Sequence, residues 1–472
     1  MFTIVVRSRK DAAAVSAMVE RFYRDWGVDV KTLHGARSPA AAEAALEEII
    51  EPDKFYIVLL GREDREVASH LAEWLPPNVV LRVVPRARVR NARLEQLYME
   101  VVKARTMFRV ATSWDESRRA YVFGPVGSPI DPQLEDPAPS YEVFIGVGRF
   151  SRLVSRLSGT LIGENPLVVR TTGGTHIVYN GPNPVVELDI GDAGFKPRAS
   201  RINDGIEPIS VSMDSLVEAN REVIGIYERA AIRFLRSLGE FDTIIVPWSG
   251  GKDSTAALLL ALKAYGKDRV RVVYGDTGTE FPDSVRYVEE VAEKLGIEVV
   301  RAYAGIDKEL MRGAPLPSHG DRWCTILKVK SIEEMAVKLA EGKTLLVVGD
   351  RDAESPRRSA RPPVRRAYTG DMLVVTPLRM WSAAHVQLYI IMNGLPLNPM
   401  YYYGFYRIGC YMCPALRNWE IYAMTTSELH IKLSKNPIYR RFIVSRLYKR
   451  AAVTKTTVAC VVGDEAPIAP CG

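Results

Sequence analysis

Over the first 110 residues short apolar runs alternate with polar, helix-favouring stretches. TIVV near the start, KFYIVLLG at 54–61 and NVVLRVV at 78–84 have the length and composition of buried strands. AAAEAALEEII, between the first two, is rich in strong helix formers. This rhythm predicts a small α/β domain over residues 1–110. No phosphate-binding glycine fingerprint follows any of its strands, so the expectation for this domain is a structural or partner-binding role.

The texture changes over residues 111–210. YVFGPVG, YEVFIGVG and PLVVRTTGGTHIVYNG are short β-rich runs, and Gly173-Gly174 sits between two of them as a hairpin turn would. They predict a β-rich domain, either a small barrel or an α+β insert. From about 211 to 420 the alternation becomes regular. A helical stretch reaches Leu238, strands fall at Thr243–Pro247, Val270–Tyr274 and Glu298–Ala302, and helices separate them. This is the βαβ pattern of a doubly wound parallel sheet. Residues 421–472 predict a helical extension to about Lys449 and then a loose, proline-containing tail.

A chain of 472 residues is about three domain lengths, in keeping with these divisions. Apolar residues at 47% and charged residues at 25% exclude disorder as the main state. No apolar run approaches the roughly 18 residues of a membrane span, and MFTIVVRSRKD turns charged too early for a signal peptide, so a cytoplasmic protein is expected. The net charge of +7 permits an anionic ligand or a nucleic acid and requires neither. All five cysteines lie between 324 and 471, which suits metal ligands or redox groups better than a disulfide framework.

The chemistry concentrates on Ser249-Gly250-Gly251-Lys252-Asp253-Ser254, between an apolar strand and an Ala/Leu-rich helix, Thr255 to Ala264. Glycines let the backbone approach an anion, and the free amides of a helix start point at it. Lys252 supplies a cation for phosphate or for leaving pyrophosphate. Asp253 and Ser254 are candidate helix caps, and Ser249 or Ser254 can donate to phosphate oxygens. The string is not Walker A, which needs GxxxxGK[ST].

SGGKDS resembles the PP-loop of enzymes that adenylate a substrate with ATP. Four later strings resemble the phosphoadenylyl-sulfate (PAPS) reductase family within that superfamily: YGDTGTEFPDSV, DRWCTILK, LLVVGDRDAESPRR and TPLRMWSAAHVQLYIIMNGLPLNPMYYYGFYRIGCYMCP. Together with the loop they cover about residues 240–418 in the family's order. The resemblance implies a PP-loop domain of HUP type in an archaeal-type multidomain member. It implies nucleotide contacts from Asp276, Thr277 and Gly278, from Arg322 and Lys328, and from Arg351, Glu354, Ser355 and Arg358. Six arginines crowd residues 351–366, as ligand contact or as a solvated basic loop. The β-rich domain ahead of the loop resembles the placement of an RNA-binding PUA domain in archaeal relatives; a β domain without a nucleic-acid role is the alternative.

Cys410 and Cys413 form a C-x-x-C pair, and with Cys324 they make three candidate metal ligands. Cluster-bearing adenylyl-sulfate reductases carry a tandem Cys-Cys where this chain has Trp323-Cys324. A 4Fe–4S cluster with one open iron position is one expectation; zinc, with Cys460, Cys471 or His319 as fourth ligand, is the other. Cys471-Gly472 resembles the Cys-Gly near the end of sulfonucleotide reductases, whose thiol attacks sulfate sulfur, although Pro470 stands where the family has Glu. Two reactions follow, with Lys252 and Asp253 catalytic in both. The first is reduction of adenylyl sulfate or PAPS to sulfite, through Cys471 and an electron donor. The second is ATP-dependent thiolation of tRNA or DNA, with Mg²⁺ beside the nucleotide, a three-cysteine cluster and a sulfur donor protein. A nucleotide-sensing protein without catalysis is the third reading.

Overall fold

The structure is a computed structural model describing residues 1–191, 194–367 and 371–454, with side chains as far as 446. Among these residues the strands form sheets of four, two, five and six strands. No helix among them is long and apolar enough to cross a membrane.

The first unit holds β1 (Phe2–Val6), β2 (Asp29–Thr32), β3 (Phe55–Leu60) and β4 (Val79–Val83), parallel in the order β2-β1-β3-β4. β1 and β3 are buried along their whole length, because helices α1 (Arg9–Phe22), α2 (Pro39–Glu47), α3 (Arg65–Ala72) and α4 (Leu94–Val110) cover the sheet. A hairpin of β5 (Thr112–Asp115) and β6 (Ala120–Phe123) follows.

The second unit is an antiparallel meander of β7 (Glu142–Ile145), β8 (Leu167–Arg170), β9 (Thr175–Asn180), β10 (Asn183–Asp189) and β11 (Arg198–Arg201), with α5 (Phe150–Ser158) between its first two strands. Gly173 (φ 69°) and Gly174 (φ 91°) turn β8 into β9 through left-handed backbone that side chains rarely adopt, pairing Arg170 with His176.

Helix α6 (Met213–Arg236) leads to the third unit. Here β12 (Thr243–Trp248), α7 (Lys252–Tyr265), β13 (Val270–Asp276), α8 (Pro282–Leu295), β14 (Val299–Tyr303), α9 (Ile306–Met311), α10 (Trp323–Leu339), β15 (Thr344–Val347), α11 (Pro356–Ser359), β16 (Val364–Arg366) and β17 (Met372–Val375) follow one another. The order across the sheet is β14-β13-β12-β15-β17-β16, parallel but for β16. The chain leaves β12 on one side through β13 and returns on the other through β15, so a switch point opens at the carboxyl ends of β12 and β15. Helices α12 (Ala383–Met392), α13 (Pro399–Tyr402), α14 (Asn418–Thr425), α15 (Glu428–Leu433) and α16 (Pro437–Thr454) complete the chain.

The expected borders at 110 and 210 fall between sheets and the one at 420 falls inside α14, and packing crosses them. One core runs from Phe2 to Tyr401 and joins the first unit, α6 and the six-stranded sheet. Another joins Phe144 and Val178 of the meander to Trp419 and Phe442 of the last helices. The helix after the loop begins at Lys252, earlier than expected, and its N-cap is Gly251 with no side-chain cap. Asp253 and Ser254 are therefore inside the first turn and do not cap it.

Candidate functional site

A cleft of about 720 Å³ opens at the switch point. Its floor is the glycine loop, and Gly250 (φ 70°) makes the turn that swings the chain from β12 into α7. Asn398 holds the loop by donating to the Gly250 carbonyl at 3.1 Å, and the Lys252 amide donates to the Tyr401 hydroxyl at 2.9 Å. The Ser254 hydroxyl accepts from the Ser249 amide at 3.2 Å and lies 3.0 Å from the Ser249 hydroxyl. The carboxyl end of β15 comes so close that a Cβ on Gly349 would lie 2.5 Å from the Asp253 carbonyl oxygen. Gly251 and Lys252, the cap and first residue of α7, line the cleft, so the positive end of that helix's dipole is presented to it, as an anion site requires.

Charges alternate across the floor. The Lys252 ammonium lies 3.0 Å from one Asp253 oxygen, and the Arg351 Nε 2.5 Å from the other. Arg351 Nη1 lies 2.5 Å from Glu142 of β7, whose second oxygen accepts from the Ala383 amide at 3.0 Å. Burial alone would raise the Asp253 carboxyl, but Arg351 and Lys252 hold it down to about 2. Burial also opposes the Glu142 charge, which Arg351 and Arg170 outweigh. Arg351 is 4% exposed and braced by two carboxylates, so it is a fixed pillar. Lys252 has a carboxylate on one side only and also donates to the Tyr406 carbonyl at 3.4 Å. Beyond them Arg358 pairs with Glu354 and, at 3.5 Å, with Asp350. The Glu354 carboxylate accepts from the Arg351 amide at 2.9 Å, and the Ser355 hydroxyl caps α11.

Ser249, Gly251, Lys252, Asp253, Ser254, Arg322, Arg351, Glu354, Ser355 and Arg358 all line this cleft. Gly250 lies behind the loop, where a Cβ would sit 2.8 Å from Val288 Cγ2. Asp276, Thr277, Gly278 and Lys328 are placed elsewhere. Asp276 and Gly278 face a separate depression with Glu280 and Glu289. Thr277 is buried, with its hydroxyl 2.6 Å from Glu280. Glu280 also accepts from the Thr277 and Thr279 amides at 3.0 and 3.2 Å, so the turn satisfies its own polar groups. Lys328 acts on Glu280 and Cys410.

The opposite wall was not legible beforehand. Glu142, Phe144 and Arg170 come from the meander, and Tyr401, Tyr406, Arg407 and Arg417 from the segment that closes the third unit. A single carboxylate within the apolar run YEVFI was the available signal for Glu142.

Cys324, Cys410 and Cys413 share an apolar corner with Phe281 and Trp323. The Cys410 sulfur lies 3.3 Å from the Thr277 hydroxyl and 4.0 Å from Glu280, and burial followed by the Glu280 charge pushes its thiol up to about 11. Burial raises the Cys324 thiol too, and Cys413 adds to it. Among the described residues no three His, Cys, Asp or Glu side chains are grouped as a metal ion requires. The corner as arranged therefore does not fit the cluster or the zinc expected of it, its Cys410 being engaged by Thr277. His319 lines the cleft instead, and Cys460 and Cys471 lie outside the described residues.

A parallel sheet with this switch point and a glycine loop opening the next helix defines a nucleotide-binding α/β domain. Residues 243–416 match the family described as the phosphoadenosine phosphosulfate reductase domain, and this segment is a PAPS reductase-like domain of the PP-loop superfamily. An uncharacterized protein of Methanocaldococcus jannaschii is 36% identical over 231 residues, 48% of this chain and 47% of its own length. The adenosine 5′-phosphosulfate reductase of Rhodococcus erythropolis is 28% identical over 33% of this chain and 63% of its own. Sulfate adenylyltransferase subunit 2 of a Marinomonas species is 25% identical over 37% of this chain and 66% of its own. The chain spans about half the length of the first of these relatives. Among solved structures, the PAPS reductase of Candida auris aligns over 43% of this chain and 98% of its own, with a TM-score of 0.32 and 19% identity.

Proposed function

We propose that the chain is a nucleotide-dependent enzyme of sulfur chemistry that uses its glycine loop to transfer AMP from ATP to an oxygen of an acceptor. The carrying observation is the floor of the cleft: loop backbone and Lys252 face one space, and Arg351 fixes Asp253 beside them. The acceptor oxygen attacks the α-phosphorus, the bond to the bridging β-phosphate oxygen breaks, and pyrophosphate leaves with its charge met by Lys252 and the α7 amides. A sulfide equivalent from a donor protein then attacks the activated carbon, its C–S bond replaces the C–O bond, and AMP departs. A base of RNA is the acceptor this reading favours. Kinship with a relative named as an adenylyltransferase supports the first step.

A second reading is reduction of adenylyl sulfate or PAPS to sulfite, supported by the domain match and by the reductase of R. erythropolis. Its nucleophile is Cys471. The deciding experiment incubates anaerobically purified protein separately with ATP plus bulk tRNA, with adenylyl sulfate and with PAPS. RNA-dependent pyrophosphate release supports adenylation. Sulfite release that Cys471→Ser abolishes establishes the reductase instead.

A further inference from the structure

The first unit carries its charge unevenly. Residues 1–110 hold 18 Lys and Arg against 15 Asp and Glu. Four segments leave the carboxyl ends of β1 to β4, at residues 7–11, 33–39, 61–66 and 84–91, and they hold nine of those cations but only four of those carboxylates. The remainder is acidic, with nine cations and eleven carboxylates. Because the four strands are parallel, all four segments lie at one end, and that end is positive.

The segments rest on one another. The Arg62 amide donates to the Arg86 carbonyl at 2.8 Å, the Glu63 amide to the Ala87 carbonyl at 3.1 Å, and the Gly35 amide to the Arg7 carbonyl at 2.8 Å. A Cβ on Gly61 would strike the Ala87 carbonyl and come within 2.6 Å of Arg88 Cα, so the arginine loop after β4 is seated directly on the end of β3. Three of the four carboxylates are already taken: Asp64 by Arg7 at 2.5 Å, Glu63 by Arg88 at 2.6 Å and Asp11 by Arg90 at 3.3 Å. Arg9, Lys10, Arg37, Arg62, Arg65 and Arg86 are exposed, and none of them forms an ion pair among the described residues.

Local electrostatics does not account for these positions. Arg9 and Lys10 are the first two residues of α1, and Arg65 is the first of α3. The positive end of a helix dipole disfavours a cation there and favours Asp or Glu. The excess therefore costs stability, and it reinforces the field of the α1, α2 and α3 starts at the same end. The four segments contain no aromatic residue, so this surface has nothing on which an unpaired base could stack. Its guanidinium and ammonium groups are suited to phosphates.

We infer that this end of the first unit docks the phosphate backbone of a structured RNA, meeting its charge and leaving its bases paired. From Leu94, just past the arginine loop, α4 runs about 17 Å by helix rise to Arg105, which pairs with Asp352 next to Arg351 of the cleft. A ligand that meets both the surface and the cleft is therefore a polymer and not a mononucleotide. The inference rests on the adenylation reading only for placing the acceptor base on the docked RNA, because docking is measured without ATP.

The test is equilibrium binding of fluorescently labelled bulk tRNA to the full chain across a salt series, with polyglutamate as competitor. Lys10→Glu combined with Arg65→Glu should weaken tRNA about tenfold or more and reduce the slope of log affinity against log salt by about two. Both changes put a carboxylate at a helix start, so the melting midpoint should hold or rise, which separates lost docking from lost folding. Arg21→Glu combined with Arg24→Glu makes the same change in net charge at the far end of α1 and should weaken tRNA less than about threefold. Wild-type protein that does not bind tRNA overturns the inference, as do equal losses in the two double variants. Polyglutamate that displaces tRNA at equal charge would assign an acidic polypeptide instead and also overturns it. Docking that depends on Lys10 and Arg65 in a protein that leaves ATP intact would sink the adenylation reading alone.

Discussion

Two parallel sheets in this chain share a switch-point topology and differ in what stands at its mouth. In the first unit, between the ends of β1 and β3, the place is filled by the protein's own carboxylates. Asp64 pairs with Arg7 at 2.5 Å and accepts from the Gly61 amide at 3.2 Å. Ser8 caps α1, and the Asp11 carboxylate accepts from the Ser8 hydroxyl at 2.5 Å and from the Arg90 amide at 3.2 Å. Both carboxylates are buried. In the six-stranded sheet the same position carries glycines, Lys252 and an open cleft. Topology supplies the crevice, and the residues of one loop decide whether it is plugged from inside or left for an anion from outside.

The largest effect that sharpens this contrast is expected at Arg351. Replacing it with Met leaves Asp253 and Glu142 buried without their shared cation, so stability should fall by about 3–5 kcal/mol, read by denaturant unfolding. Unchanged stability would mean the two carboxylates are not held by Arg351. Lys252→Ala should keep the fold and lower pyrophosphate release from ATP by about 10²–10³-fold, the scale for losing one positioned charge. A loss of less than about threefold would move the leaving-group role elsewhere.

A pH effect comes next. Burial raises the Glu420 carboxyl to about 7, above its ordinary value. The folded state therefore holds a proton that the unfolded chain has released. Its contribution is full at low pH and is lost as pH rises from about 4.5 through 7, by on the order of 3 kcal/mol. Glu420→Gln stays neutral and should flatten that slope in paired unfolding curves. Equal slopes in the two proteins would show a solvated carboxylate. The smallest effect on catalysis is expected in the first unit: Asp64→Asn should cost stability by about 1–3 kcal/mol and leave ATP turnover within twofold.

Legibility in the sequence followed how local each feature is. SGGKDS was readable because strand, glycine turn, lysine and helix are contiguous, and the cluster from Arg351 to Arg358 because it follows a strand end directly. Gly173-Gly174 announced its hairpin for the same reason. Glu142 and Arg170 were not readable as site residues: they approach Arg351 from more than 180 positions away, on strands whose pattern looks like ordinary core. The Asp276–Gly278 turn had the composition of a ligand loop, and nothing local revealed that Glu280 folds back to satisfy its amides. The cysteine spacing likewise carried no sign that Thr277 would engage Cys410.

The most direct test of the central account follows the label of [α-³²P]ATP in anaerobic incubations with bulk tRNA, for wild-type protein and Lys252→Ala. Cleavage at the α-phosphorus predicts label carried onto the RNA as its adenylate and released as AMP once sulfide is added, with an equal amount of unlabelled pyrophosphate, all dependent on RNA and nearly absent from the variant. Labelled ADP with inorganic phosphate, or ATP left intact while adenylyl sulfate or PAPS yields sulfite, would contradict it.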